Sequence, residues 1–104
     1  MTAAELARII EEKFPPQTAE KWDNVGLLVG RRDKPVGCAL LTLDVTAETV
    51  AEAKSAGADM IISHHPMMFS PVNRITDDSV EGAIQLDLCR NDIAVFAAHT
   101  NLDS

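Results

Sequence analysis

The sequence predicts an α/β fold: a mostly parallel sheet with flanking helices. Strand-like apolar runs alternate with helix-like patterns along the 104 residues, and that order implies right-handed β-α-β crossovers. The run CALLTLDV at 38–45 is too continuously apolar for a strand wetted on one face, and so reads as a strand covered on both. Helix start and stop signals fall between the runs.

Taken in order, Thr2 followed by Glu5 forms a capping-box pattern that opens a helix. Leu6, Ile9, Ile10 and Phe14 share one face of it, Glu11, Glu12 and Lys13 face water, and Pro15-Pro16 ends it. WDNVGLLVG at 22–30 is a turn leading into a short strand. After the strand at 38–45, Thr46 caps a helix over 47–56, and Gly57 supplies its stop. MIIS at 60–63 is the next strand and runs directly into His64-His65-Pro66, where the proline closes it. The connection 67–76 is long for a loop after a buried strand, which favours a functional role. Asp78 with Glu81 suggests a capped helix over 79–90 that buries Val80, Ile84 and Leu88. IAVFAA at 93–98 is a further buried strand, followed at once by HTNLD at 99–103.

Residues 1–104 therefore form a single α/β domain. The formal net charge of −7 opposes phosphate-backbone binding, so nucleic acid is not an expected partner. The only basic cluster, Arg31, Arg32 and Lys34, is interrupted by Asp33 and reads as a solvated turn. Cys38 and Cys89 fit no metal-ligand spacing and sit among apolar residues; they are read as packed thiols in a reducing compartment. The N-terminus lacks a signal-peptide pattern, and no run approaches the roughly 18 apolar residues of a membrane span. A cytoplasmic location without membrane partners is the expectation.

The chemistry-bearing residues cluster by topology. All three histidines, His64, His65 and His99, fall at the carboxyl ends of two predicted parallel strands, the edge of an open α/β sheet where ligands bind. Neighbours in a strand project to opposite sides, so His64 and His65 are expected to serve different ions, or one as ligand and the other as its support. His99 and Asp103 are four apart, and a turn returns both to one point. Imidazole and carboxylate together suit zinc, manganese, iron or nickel. Two such ions make water nucleophilic near neutral pH, which is chemistry for hydrolysis. No G-x-S-x-G pattern surrounds Ser63 to support a serine nucleophile. Asp44 either orients an imidazole or caps the following helix with Thr46, the cap being favoured. Trp22 is read as packing, and Met67, Met68 and Phe69 as apolar cover or an interface patch.

WDNVGLLVG at 22–30, LDVT at 43–46, IISHHP at 61–66 and HTNLD at 99–103 occur in an order and spacing that resembles the NGG-interacting-factor-three-like family, also labelled the GTP cyclohydrolase I type 2 family. The resemblance implies a dinuclear metal centre in an α/β protein that assembles as a toroidal homohexamer. It implies His64, His65 and Asp103 as metal ligands, with His99 a further ligand or close neighbour. Members continue past this point to a C-terminal His-x-x-x-Glu that supplies the remaining ligands, and this sequence contains no such segment. The chain thus reads as truncated, the N-terminal part of the family fold. The functional expectation is a divalent-metal-dependent hydrolase of an unidentified small-molecule substrate. A non-enzymatic metal-binding scaffold or interaction module is the alternative, motivated by Met67–Phe69.

Overall fold

In a computed structural model the described residues are 1–13, 26–65 and 74–98. Their elements run α1 (Ala3–Lys13), β1 (Gly26–Val29), β2 (Ala39–Thr42), α2 (Ala47–Ala56), β3 (Met60–Ser63), α3 (Val80–Arg90) and β4 (Ala94–Ala97). The strands form one sheet in the order β1-β4-β3-β2. β2, β3 and β4 are mutually parallel, and β1 joins β4 antiparallel with a register shift between Leu27 and Val29. The α/β class and the mostly parallel sheet expected from sequence are therefore present. Phe14, Trp22, Met67, Met68 and Phe69 lie outside the described residues.

Alternation along the central strands splits the core into two layers. Met60, Ala94 and Phe96 face one way and pack with Ala3 and Ala7 of α1. Ile61 and Val95 face the other way and pack with Val50 and Ala53 of α2 and Leu88 of α3. Helices cover both faces of β3 and β4, and β4 is buried at every position. No helix among the described residues is long and apolar enough to cross a membrane.

Local chemistry sets the helix ends. The Thr2–Glu5 box is reciprocal: the Thr2 N–H donates to Glu5 Oε1 at 2.9 Å, and the Glu5 N–H donates to Thr2 Oγ1 at 3.2 Å. The contacts with Thr2, its backbone N–H first, lower the Glu5 carboxyl below its ordinary range. Thr46 caps α2 by accepting from the Thr49 N–H, and Gly57 ends it in the left-handed region at φ 70°, donating to Ala53 and Lys54 carbonyls.

Several expectations need correction. Among the described residues β2 is an edge strand with alternating exposure, not one covered on both faces; Leu41 is 74% exposed and Leu43, just past it, 65%. Hydrophobic runs report apolarity and not which strands a helix covers; α1 packs on Met60 of β3 and on Ala94 and Phe96 of β4. The buried stripe of α1 is Ala3 and Ala7 flanked by Leu6 and Ile10, while Ile9 is exposed. Small alanines let the helix sit close to the sheet. The N-cap of α3 is Ser79, which accepts from the Gly82 N–H, whereas Asp78 bonds to the Thr76 hydroxyl. This turns α3 so that Gly82, Gln85 and Leu88 are buried, Ile84 is partly buried, and Val80 is 76% exposed. Both cysteines are exposed and free rather than packed.

The basic cluster is also more than a solvated turn. Arg31 grips Asp92 with two hydrogen bonds of 3.0 and 2.6 Å, and Lys34 lies 3.5 Å from Asp59 and 3.4 Å from Asp92. Asp59 and Asp92 just precede β3 and β4. These contacts tie the loops at the amino edge of the sheet, opposite the histidines.

Candidate metal centre

The carboxyl ends of β2, β3 and β4 are sewn together by main-chain and hydroxyl groups. The His64 N–H donates to the Thr42 carbonyl at 3.1 Å, the His65 N–H to the Leu43 carbonyl at 2.8 Å, and the Ala98 N–H to the Ser63 carbonyl at 3.0 Å. Ser63 is buried, and its hydroxyl donates to the Leu43 carbonyl at 3.2 Å and is shared with the His65 carbonyl. The hydroxyls of Thr42 and Thr49 both donate to the Asp44 carbonyl at 3.1 Å. A polar side chain at each of these positions thus satisfies backbone carbonyls left over where the strands end.

On this frame His64 and His65 stand side by side, half-buried. Their ring centres are 5.1 Å apart and their planes meet at 77°, edge against face. The expected opposite projection does not occur. β3 ends at Ser63, so strand alternation no longer governs the two residues after it.

His65 Nδ1 lies 2.7 Å from Asp44 Oδ1. The Asp44 carboxylate therefore contacts an imidazole, and Thr46 caps α2 through its own hydroxyl. The favoured cap role for Asp44 is corrected on this geometry. Ser63, Thr42 and Thr49 were not singled out as parts of the site by sequence reasoning. Their signal was weak, since hydroxyl residues at strand ends and helix starts are common.

His99 and Asp103 lie outside the described residues. Among the described residues no group of three or more His, Cys, Asp or Glu side chains comes together in a metal-binding arrangement; two of the four expected donors are not in that set. The donors that are described fit a divalent cation chemically. A carboxylate accepts only, so the His65 hydrogen bond is donated from Nδ1, and in that tautomer Nε2 is the ring nitrogen with the chemistry of a metal donor. The second imidazole stands in the same corner, and nitrogen donors of this kind suit zinc, manganese, iron or nickel.

Comparison with known proteins gives a consistent picture. A family model described as Duf34/NIF3 (NGG1p interacting factor 3) matches residues 1–104. A Clostridium perfringens protein named GTP cyclohydrolase 1 type 2 homolog is 43% identical over 104 residues, covering all of this chain and 40% of the relative. A crystal structure of a Staphylococcus aureus protein superposes with a TM-score of 0.94 at 44% identity, covering 99% of this chain and 33% of that one. A Bacillus cereus protein described as related to NIF3 gives a TM-score of 0.92 at 42% identity, covering 99% of this chain and 28% of that one. The chain thus spans well under half the length of the relatives it matches.

Proposed function

This chain belongs to the Duf34/NIF3 family, and from that premise we propose that it contributes part of a divalent-metal centre used for hydrolysis of a small molecule. The observation that carries the proposal is the His64–His65 corner: two imidazoles 5.1 Å apart at the carboxyl edge of parallel strands, one of them bonded through Nδ1 to a carboxylate. His64 and His65 would hold cations through ring nitrogens, with His99 and Asp103 as further donors and the remaining ligands supplied from elsewhere in a complete site. When bound, two divalent ions would lower the pKa of water and offset charge that develops on an oxygen of the substrate.

The chain's own residues do the positioning. The Ser63 hydroxyl and the main-chain bonds from His64 and His65 fix where the imidazoles leave the sheet. The acidic balance of the chain favours cations over anionic polymers. The names of the curated relatives support a nucleotide or another phosphate-bearing small molecule as the class to examine first. Assembly as a homohexamer and a cytoplasmic location belong to the same proposal.

Elemental analysis of the purified protein tests it, beside His65→Ala and Asp103→Ala. The expected result is bound zinc, manganese, iron or nickel in the parent and loss of it in both variants. Equal metal content in all three proteins overturns the proposal. Metal-dependent turnover of phosphoesters or nucleotides that both substitutions abolish separates an enzyme from a metal-binding scaffold.

A further inference from the structure

We propose that Asp44 is a positioning residue for His65: it accepts a hydrogen bond from Nδ1–H, holds the imidazole in that tautomer, and so makes Nε2 the nitrogen that would ligate a divalent cation. The inference rests on the metal reading of this corner and adds to it a residue that never touches the ion.

Register makes the contact. The offset of 21 positions that pairs Ala39 with Met60 and Thr42 with Ser63 also separates Asp44 from His65. Asp44 and His65 each lie two residues past the last paired positions, Thr42 and Ser63, so the β2–β3 register brings their two segments out of the sheet side by side. The pairing therefore follows from the sheet rather than from a chance meeting of two loose side chains.

Support for Asp44 is independent of its carboxylate. Its carbonyl receives the Thr42 and Thr49 hydroxyls, each at 3.1 Å, and Thr49 is itself bonded to the capping Thr46 at 2.9 Å. The Asp44 main chain is pinned by two hydroxyls, and Thr46 already supplies the cap. The carboxylate is left for His65 at 2.7 Å. Side-chain exposures of 44% for His65 and 61% for Asp44 argue against a role in fold stability, since exposed pairs of this kind add little. What an exposed carboxylate can still do is select a tautomer, because it offers Nδ1–H an acceptor that water matches poorly in direction. Support of this kind for a metal-binding imidazole is worth about 10–100-fold in metal affinity.

Imidazole ¹⁵N–¹H correlation spectra of the metal-free protein, recorded at a pH where histidines are neutral, report the tautomer directly. The wild-type His65 should show Nδ1–H. Asp44→Ala should shift it toward Nε2–H with the backbone amide spectrum otherwise preserved, and Asp44→Asn, which keeps an acceptor oxygen, should retain much of the Nδ1–H form. Calorimetric titration with zinc should show affinity falling about 10–100-fold in Asp44→Ala and less in Asp44→Asn. An unchanged His65 tautomer in Asp44→Ala overturns the proposal, as does unchanged zinc affinity. Wild-type protein that takes up no zinc while keeping Nδ1–H overturns instead the metal reading on which the inference rests, so the two failures are told apart.

Discussion

Replacing Gly30 by alanine separates two costs that the fold keeps low with glycine, and Gly57→Ala supplies the reference. Both residues have positive φ, 106° at Gly30 and 70° at Gly57. At Gly57 an added Cβ meets nothing within 4 Å, so only backbone strain changes. A left-handed alanine costs roughly 1–2 kcal/mol, offset by about 0.4–1 kcal/mol from the stiffer unfolded chain. The expected net loss is about 1 kcal/mol. At Gly30 the same atom would lie 2.7 Å from Ala94 Cα and 2.9 Å from Ala94 Cβ. Ala94 opens β4, the strand that pairs β1 with β3. Its backbone cannot swing aside as a flexible side chain could, so an overpacking penalty of about 1–3 kcal/mol adds to strain of about 1–3 kcal/mol. Less the same unfolded-chain offset of about 0.4–1 kcal/mol, a loss of about 2–5 kcal/mol follows for Gly30→Ala. At about 4–8 °C per kcal/mol for a domain of this size, Tm should fall by roughly 5 °C for Gly57→Ala and by 10 °C or more for Gly30→Ala. Thermal melts followed by circular dichroism, with urea unfolding as a second measure, read both. Equal Tm values for the two variants refute the close approach of Gly30 to Ala94 as an energetic constraint. A larger loss at Gly57 refutes the division into strain and contact.

Two further outcomes are expected. Arg31 holds the Asp92 carboxyl at about 2, from an ordinary value of 3.8, and the Gly37 N–H, then that of Cys38, and Lys34 lower Asp59. A depressed carboxyl stabilises the fold above its unfolded pKa of about 3.9 and loses that contribution as pH falls toward the folded value; melts from pH 5 to pH 2 should show a steeper acid loss in wild type than in Asp92→Asn, and parallel curves for the two would remove the Arg31–Asp92 grip as a cause. Phe96, 1% exposed between the sheet and α1, should cost about 3–5 kcal/mol when changed to alanine, read as a lower urea midpoint with an unchanged slope; a change below 1 kcal/mol would contradict its central place in that layer.

Much of the architecture was legible because period and punctuation are local. The capping box at Thr2–Glu5, the Thr46 cap and the Gly57 stop involve residues a few positions apart, and each forms as the sequence implied. Most of the misreadings concern which elements lie beside one another. Leu41 and Leu43 look like core residues beside Leu40, but α1 packs on β3 and β4 and half the β2 side chains stay exposed. Val80 shares a helical period with Ile84 and Leu88, but the Ser79 cap and the close approach of the Thr76 carbonyl to Gly82 decide which stripe of α3 meets the sheet. Cys38 and Cys89 have apolar sequence neighbours yet occupy exposed positions at an edge and a helix end.

The same distinction explains why Asp44 could be seen in the sequence and not placed there. A carboxylate two residues before a helix N-cap has an obvious local use, and Thr46 competes for it within the same turn. What removes the competition is the register between β2 and β3, a property of two segments 21 positions apart. Once that register is set, His65 donates its main-chain N–H to Leu43 while its ring meets Asp44. One strand pairing thus fixes both the backbone and the side chain of the same histidine. The buried Ser63 hydroxyl, bonded to the Leu43 carbonyl, locks the two strands where they diverge. A one-residue slip of β2 would bring Leu43 or Val45 to the position of Asp44 and turn its side chain to the other face. The imidazole would then lose its acceptor, and Leu40 would leave the core layer it packs against. The geometry of the candidate centre therefore depends on register; the Ser63 hydroxyl bridges the two segments by its bond to Leu43, while Thr42 and Thr49 fix the Asp44 main chain from its own side.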